Sequence, residues 1–382
     1  KEIFYSGNHE ITKFLYIFSF TYFNLSFNRL AEYGTDKPGQ LLIVILVIKL
    51  LQIICFERKE NQLRQILFLI PLLAYCITLK TYFLPYILLS FVILILQPKM
   101  KYVLETIFFS KSFLFFIFSL FIYFFHHFIS TGCLVSPIPI TCIGDNFNWS
   151  WARETSDMTN LSIWLEQWAK AGAGPNFRVN NVSEYISYLN WVDNWIDKYF
   201  LNKFLDQLLI LFLSIIVIFL LSKSFSFKKE VNNINKNILY FYSLLLIIFL
   251  IWFFNHPTLR YGGYSIVFLI ISIPISLLFF RYKNNNLFER RIRFLIIFVI
   301  ILFNIKNITR VEKEFNREDH YKFTNFPFYA IKEKNFTKYE FKSGLDIYSA
   351  HHCWATPTPC GNIDQKIYVN KKNSYYFINK KK

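Results

Sequence analysis

Apolar residues along this chain come in long blocks instead of alternating with polar ones. The clearest blocks are residues 41–56 (LLIVILVIKLLQIICF), 112–130 (SFLFFIFSLFIYFFHHFIS), 204–222, 238–254 and 264–280, with one more at about 292–308. An apolar helix of about 20 residues crosses a hydrocarbon core roughly 30 Å thick. Two shorter apolar runs within residues 65–96 flank Lys80-Thr81 and predict a tight hairpin of two further spans. The pattern predicts an all-α polytopic membrane protein of about eight transmembrane helices. Residues 11–27 are apolar but broken by Thr12, Lys13, Ser19, Thr21, Asn24 and Ser26, which suits a helix lying on the membrane surface.

Basic residues in the short connections set the expected orientation. Segments 57–64, Lys99 with Lys101, 223–236 (Lys223, Lys228, Lys229, Lys236) and 281–293 (Arg281, Lys283, Arg290, Arg291, Arg293) all fall on one side when spans are counted. That side is the cytoplasm by the positive-inside rule. Five segments follow. Residues 1–40 form an extracytoplasmic or interfacial N-terminal segment, 41–130 are transmembrane, 131–203 are an extracytoplasmic Trp-rich loop, 204–308 are transmembrane, and 309–382 are an extracytoplasmic tail. The chain opens on Lys1-Glu2-Ile3 with neither an initiator Met nor a signal peptide, and reads as a fragment.

Composition agrees with the pattern. Apolar residues make up 54% of the chain and Phe alone occurs 46 times, so a soluble two-domain reading is excluded. The formal charge of +17 lies largely in loops and tail, and no recognition motif accompanies it, so nucleic acid is not an expected partner. Nothing in the sequence calls for a cofactor. Membrane lipid is the expected partner.

The six cysteines divide by location. Cys55 and Cys76 fall within spans, whereas Cys133, Cys142, Cys353 and Cys360 fall outside them. In an oxidising compartment two close pairs predict local disulfides, Cys133–Cys142 and Cys353–Cys360, although four cysteines permit other pairings. The rival for HHCWATPTPC is a metal site of His351, His352, Cys353 and Cys360, but adjacent histidines on a turn seldom face one ion. The tail is expected to be small and disulfide-closed, with room for short strands.

Six of the eight tryptophans lie in residues 131–203, among them Trp149 and Trp151. Leu161, Trp164, Leu165 and Trp168 share one helical face, with Glu166, Gln167 and Lys170 opposite. Ile186, Leu189, Trp195 and Phe200 form a second stripe, preceded by Asn181 and Glu184 at capping-box spacing. These stripes predict an extracytoplasmic cap of amphipathic helices, with rings either at headgroup level or around a cleft that holds a sugar.

Ionisable residues at membrane depth are costly unless paired, so they are the natural site candidates. The sets are Arg29, Glu32, Asp36 and Lys37; His126 and His127; Asp145 and Arg153; and His256, Arg260 and Tyr261 in the NHPTLRYGGY turn. Arg260 suits bidentate recognition of phosphate. Asp36 is the candidate general base.

The stretches NRLAEYGTDKPGQ, GCLVSPIPITC, P-x-x-RYGGY and CWATPTPC together resemble an uncharacterised family of bacterial multi-pass proteins. That family is similar in turn to GT-C-type glycosyltransferases. The resemblance implies a protein of the bacterial inner membrane, with the long loop and the tail in the periplasm. It implies transfer of a sugar from a polyprenyl-phosphate donor in envelope glycan assembly. Asp36 would be catalytic, and Arg260, Tyr261, His256, Trp149 and Trp151 would bind the substrate. GT-C enzymes carry an acidic residue in the loop after their first span, and this chain begins beyond that point; no DxD-like pair replaces it. A glycan polymerase or ligase, a transporter and a non-catalytic membrane component are the alternatives.

Overall fold

A computed structural model of the protein describes residues 10–27, 35–56, 59–89, 100–143, 155–172, 179–228, 236–316, 336–349, 357–361 and 367–380. Among the described residues six helices are long and apolar enough to cross a membrane: Gln62–Leu79, Lys111–Thr131, Val192–Ser222, Asn237–Asn255, Leu259–Phe280 and Phe288–Lys313. This is a multi-pass membrane protein. Two of the expected spans are not among these six. The 41–56 block lies within helix α2 (Asp36–Phe56). In the predicted hairpin, α3 (Lys59–Leu79) is followed by a 3-10 turn, Thr81–Ile87, that leads into residues outside the described set.

The helix expected on the membrane surface is instead central. In α1 (Glu10–Ser26) eleven residues are buried, from Ile11 to Phe23. Two of its polar side chains bond back along the helix. Ser19 Oγ donates to the Tyr16 carbonyl at 3.0 Å, and Asn24 donates to the Phe20 carbonyl at 2.7 Å. Small polar residues also allow helices to approach closely in a bundle.

The other helices of the bundle are α8 (Val192–Ser222), α9 (Lys236–Asn255), α10 (Tyr264–Phe280) and α11 (Phe288–Phe315). They follow α4 (Met100–Phe108), α5 (Lys111–Thr131), α6 (Thr155–Lys170) and the single turn α7 (Val182–Ile186). Helix α1 packs antiparallel to α10. Phe14 and Phe18 meet Phe279 edge-on, Tyr22 stacks on Phe268 at 5.6 Å, and Phe27 meets Tyr264 at 5.0 Å. Aromatic pairs at these separations contribute about 0.5–1.5 kcal/mol each beyond burial.

Charged residues gather where the apolar helices end. Beside the start of α1, strand β1 (Lys223–Phe227) pairs antiparallel with β2 (Tyr282–Asn284). Glu10 lies 2.7 Å from Lys228 Nζ and 3.6 Å from Lys223 Nζ, and it accepts from Asn284 Nδ2 at 3.0 Å. Lys13 pairs with Glu289 at 2.6 Å. The Lys223 side chain is fully buried, donates to the Tyr282 carbonyl and to Asn284 Oδ1, and lies 4.6 Å over the Phe14 ring. Burial pushes its ammonium down to about 8; Lys228 acts in the same direction and Glu10 opposes it.

Two readings of the 131–203 segment change. In α6 the polar side faces inward: Gln167 and Lys170 are buried while Trp164 is exposed. Lys170 can be buried because it pairs with Glu166 at 2.5 Å, donates to the Ile186 carbonyl and lies over Trp191. The second stripe is not one amphipathic helix. Asn181 caps α7 through the Glu184 amide as its spacing predicts, but the chain then turns at Tyr188, with φ of 49°, before α8 begins. Trp191 and Trp195 are core residues there, packed on Phe253.

The chain divides into two compact units, Lys1–Tyr123 with Leu161–Phe303, and Phe124–Asn160 with Asn304–Lys382. The second contains the Cys133–Cys142 disulfide and two hairpins, β3 (Thr337–Glu340) with β4 (Asp346–Ser349) and β5 (Ile367–Lys372) with β6 (Tyr375–Lys380). Residues 359–361 lie beside β4 through Tyr348 N to Pro359 O and Gly361 N to Tyr348 O, both at 2.9 Å. His351, His352 and Cys353 lie outside the described residues, as do Arg29, Glu32, Asp145 and Arg153.

The buried Lys223 makes a pH prediction. Its folded pKa is depressed, so between about 8 and the ordinary 10.5 the unfolded chain holds a proton that the folded chain has released. Stability therefore rises with pH across that window. Melting curves in detergent should show the rise for the native protein and lose it in Lys223→Met.

Candidate functional site

At the other end of α10 the turn preceding it is fastened from several helices. Trp252 Nε1 donates to the Thr258 carbonyl at 3.1 Å, and Trp195 Nε1 to the Pro257 carbonyl at 2.8 Å. The Leu259 amide donates to the Tyr199 hydroxyl at 2.8 Å. Gln40 Nε2 donates to the Leu259 and Arg260 carbonyls, both at 3.1 Å, and Gln40 Oε1 accepts from the Ser265 amide. Backbone groups that would be costly to bury unpaired thus find partners on α2, α8 and α9. The turn needs its glycines. Gly262 has φ of +92°, and a Cβ on Gly263 would lie 2.7 Å from both the Thr258 carbonyl and the Trp252 ring.

Held this way, the turn delivers Arg260 to Asp36. Arg260 Nε donates to Asp36 Oδ2 at 2.7 Å. Asp36 lies in the first turn of α2, where a carboxylate also complements the helix dipole. Lys80, between α3 and the 3-10 turn, places Nζ 3.0 Å from Asp36 Oδ1. Thr35 Oγ1 donates to the Leu79 carbonyl at 3.1 Å and fixes that junction. The carboxylate is covered and its cations are open: side-chain exposure is 14% for Asp36, 37% for Lys80 and 61% for Arg260. One anion facing two cations leaves the accessible side with a net positive charge.

The same geometry sets the acidity of the carboxyl. Burial pushes the Asp36 pKa up, but the hydrogen bond and charge of Arg260, joined by Lys80, outweigh it and hold the group below the usual value. A carboxylate so held is a weak proton acceptor. Its clear physical role is to position the two cations.

Aromatic rings adjoin the cluster. Tyr261 lies 5.8 Å from Tyr82, 5.6 Å from Trp168 and 5.6 Å from the edge-on ring of His256. Burial pushes the His256 imidazole below its ordinary value; Glu166 opposes this and Lys170 adds to it. The candidates Asp36, Arg260, Tyr261 and His256 therefore come together, and Lys80, Tyr82, Trp168 and Gln40 join them. Trp149 and Trp151 lie outside the described residues. His126 and His127 belong to the other compact unit.

Residues 1–268 match the family described as Domain of unknown function (DUF8201). The chain belongs to the DUF8201 family. The matched stretch contains every member of the Asp36–Lys80–Arg260 cluster and the turn that holds it. No curated protein and no solved structure matches this DUF8201 chain.

Two outcomes are expected. Gly263→Ala forces the turn off Trp252 and destabilises by about 1–3 kcal/mol, measured by chemical unfolding in detergent. Asp36 has a depressed folded pKa, so its stabilisation is complete above the ordinary carboxylate range and is lost only as pH falls through the lowered value. Asp36→Asn should lower the melting temperature at neutral pH and remove that acid-dependent loss.

Proposed function

We propose that this protein binds the phosphate of a lipid-linked sugar at the Asp36–Lys80–Arg260 cluster. The observation that carries the reading is the pair of accessible cations held on one covered carboxylate at the end of the helical bundle. A guanidinium offers a planar donor fork to phosphate oxygens, and an ammonium beside it adds a second charge-assisted bond. The rings of Tyr261, Trp168 and Tyr82 supply an apolar surface on which a sugar can lie, next to where its phosphate would be held.

The finer reading is a glycosyltransferase-like protein of envelope glycan assembly in the bacterial inner membrane. The cluster then faces the periplasm, as do the long loop and the tail, the latter closed by a Cys353–Cys360 disulfide. Eight spans complete that architecture. The support is the count of basic connections together with the resemblance of the motifs to a bacterial multi-pass family that is similar in turn to GT-C enzymes. Asp36 serves here by orienting Arg260 and Lys80, and less well as the base of the transfer.

A second reading, a purely structural clamp, is favoured by the low exposure of Asp36 itself. Native mass spectrometry with added polyprenyl phosphate separates the two. The proposal expects a bound polyprenyl phosphate that is lost in Arg260→Ala and weakened in Lys80→Met, while both variants stay folded. Equal retention by all three proteins would leave the structural clamp.

A further inference from the structure

The loop that follows α5 is built unlike an ordinary water-exposed connection. Residues 132–143 read GCLVSPIPITCI, and no Asp, Glu, Lys or Arg occurs between Lys111 and Asp145. Ile140 stands at its tip with 92% of its surface exposed, and Leu134, Ile138 and Ile143 are exposed beside it. Single exposed apolar residues are common, but four in one uncharged loop form a patch that needs an occupant.

Much of the loop's backbone is paired from within. Leu134 N donates to Thr141 O at 3.0 Å, and Ile143 N donates to Gly132 O at 2.9 Å. Ile138, Thr141 and Cys142 donate to Val135, Ile138 and Pro139 carbonyls within the loop. Val135 N donates to Thr141 Oγ1 at 3.1 Å, and that hydroxyl donates in turn to the Val135 and Ile138 carbonyls. Pro137 and Pro139 have no N–H to satisfy, and the Cys133–Cys142 bond closes the base. Internal pairing of this kind lowers the cost of bringing the loop's backbone to a lipid surface. The side opposite the tip is anchored, with Val135 and Met158 buried.

Continuity names the occupant. Helix α5 is 21 residues long, enough to cross a hydrocarbon core of roughly 30 Å, and its Phe118, Phe121 and Phe125 are exposed to the surroundings. The loop begins one residue after that span ends, which sets it at the boundary between hydrocarbon and headgroups. We propose that loop 132–143 is a membrane-dipping element whose Ile140 tip enters the lipid surface and anchors the outer end of α5.

The test is a nitroxide spin label on Ile140→Cys in the full chain reconstituted in lipid bilayers, with retention of the Cys133–Cys142 bond checked by mass spectrometry. A second label on Leu134→Cys covers the case in which the tip variant misfolds. The expected result is frequent collision with dissolved oxygen and rare collision with a water-soluble nickel complex. Frequent collision with the nickel complex would place the tip in water and overturn the proposal. Protection from both reagents would mean that protein covers the tip, and would overturn it equally.

Discussion

One carboxylate draws three parts of the bundle together. Asp36, at the start of α2, holds Lys80 from the junction after α3 and Arg260 from the turn before α10. At the edge of a membrane neither cation is well placed alone, because its charge must be compensated or hydrated. The carboxylate gives that compensation from a covered position, so the cations keep an open side. Everything nearby serves the same constraint. Gln40 binds both ends of the turn, and Tyr199, Trp195 and Trp252 take up its backbone groups. Gly263 lets the turn close against Trp252 where any side chain would collide.

The opposite end of α10 uses a similar device, again with one carboxylate facing two cations. Glu10 meets Lys228 and Lys223 there, and Asn284 completes the arrangement. The two clusters differ in access. Lys223 is enclosed, carries its hydrogen bonds to protein groups and loses proton affinity through burial, whereas Arg260 reaches solvent. The enclosed cluster fastens β1 and β2 across the helix ends. The open one is where a ligand phosphate has room to approach.

Much of this was legible in the chain. Long apolar blocks announce the spans, and counting the basic connections puts Asp36, Lys80 and Arg260 at one end of the helices, where the structure joins them. What could not be read was contact. Arg260 and Asp36 are separated by most of the chain, and no periodicity reports which turn lies beside which helix start. Lys80 passes for a hairpin turn residue, because its partner lies on another hairpin. Trp195 passes for an interfacial ring, since an indole N–H seeking a carbonyl looks the same in sequence as one at a headgroup. Gln40 does carry a signal: an amide opening an apolar helix needs partners in a bundle. The polar residues of α1 misled in the other direction: Ser19 and Asn24 bond to their own helix, Lys13 pairs with Glu289, and the helix packs inside.

The measurement that bears most directly on this account is a double-mutant cycle on Asp36 and Arg260. The unfolding free energies of Asp36→Ala, Arg260→Ala and the double variant would be compared in one detergent. A held ion pair predicts non-additive losses, with a coupling of about 0.5–3 kcal/mol. Strictly additive losses would mean that the two residues do not meet, and the cation site built on their contact would fall with it.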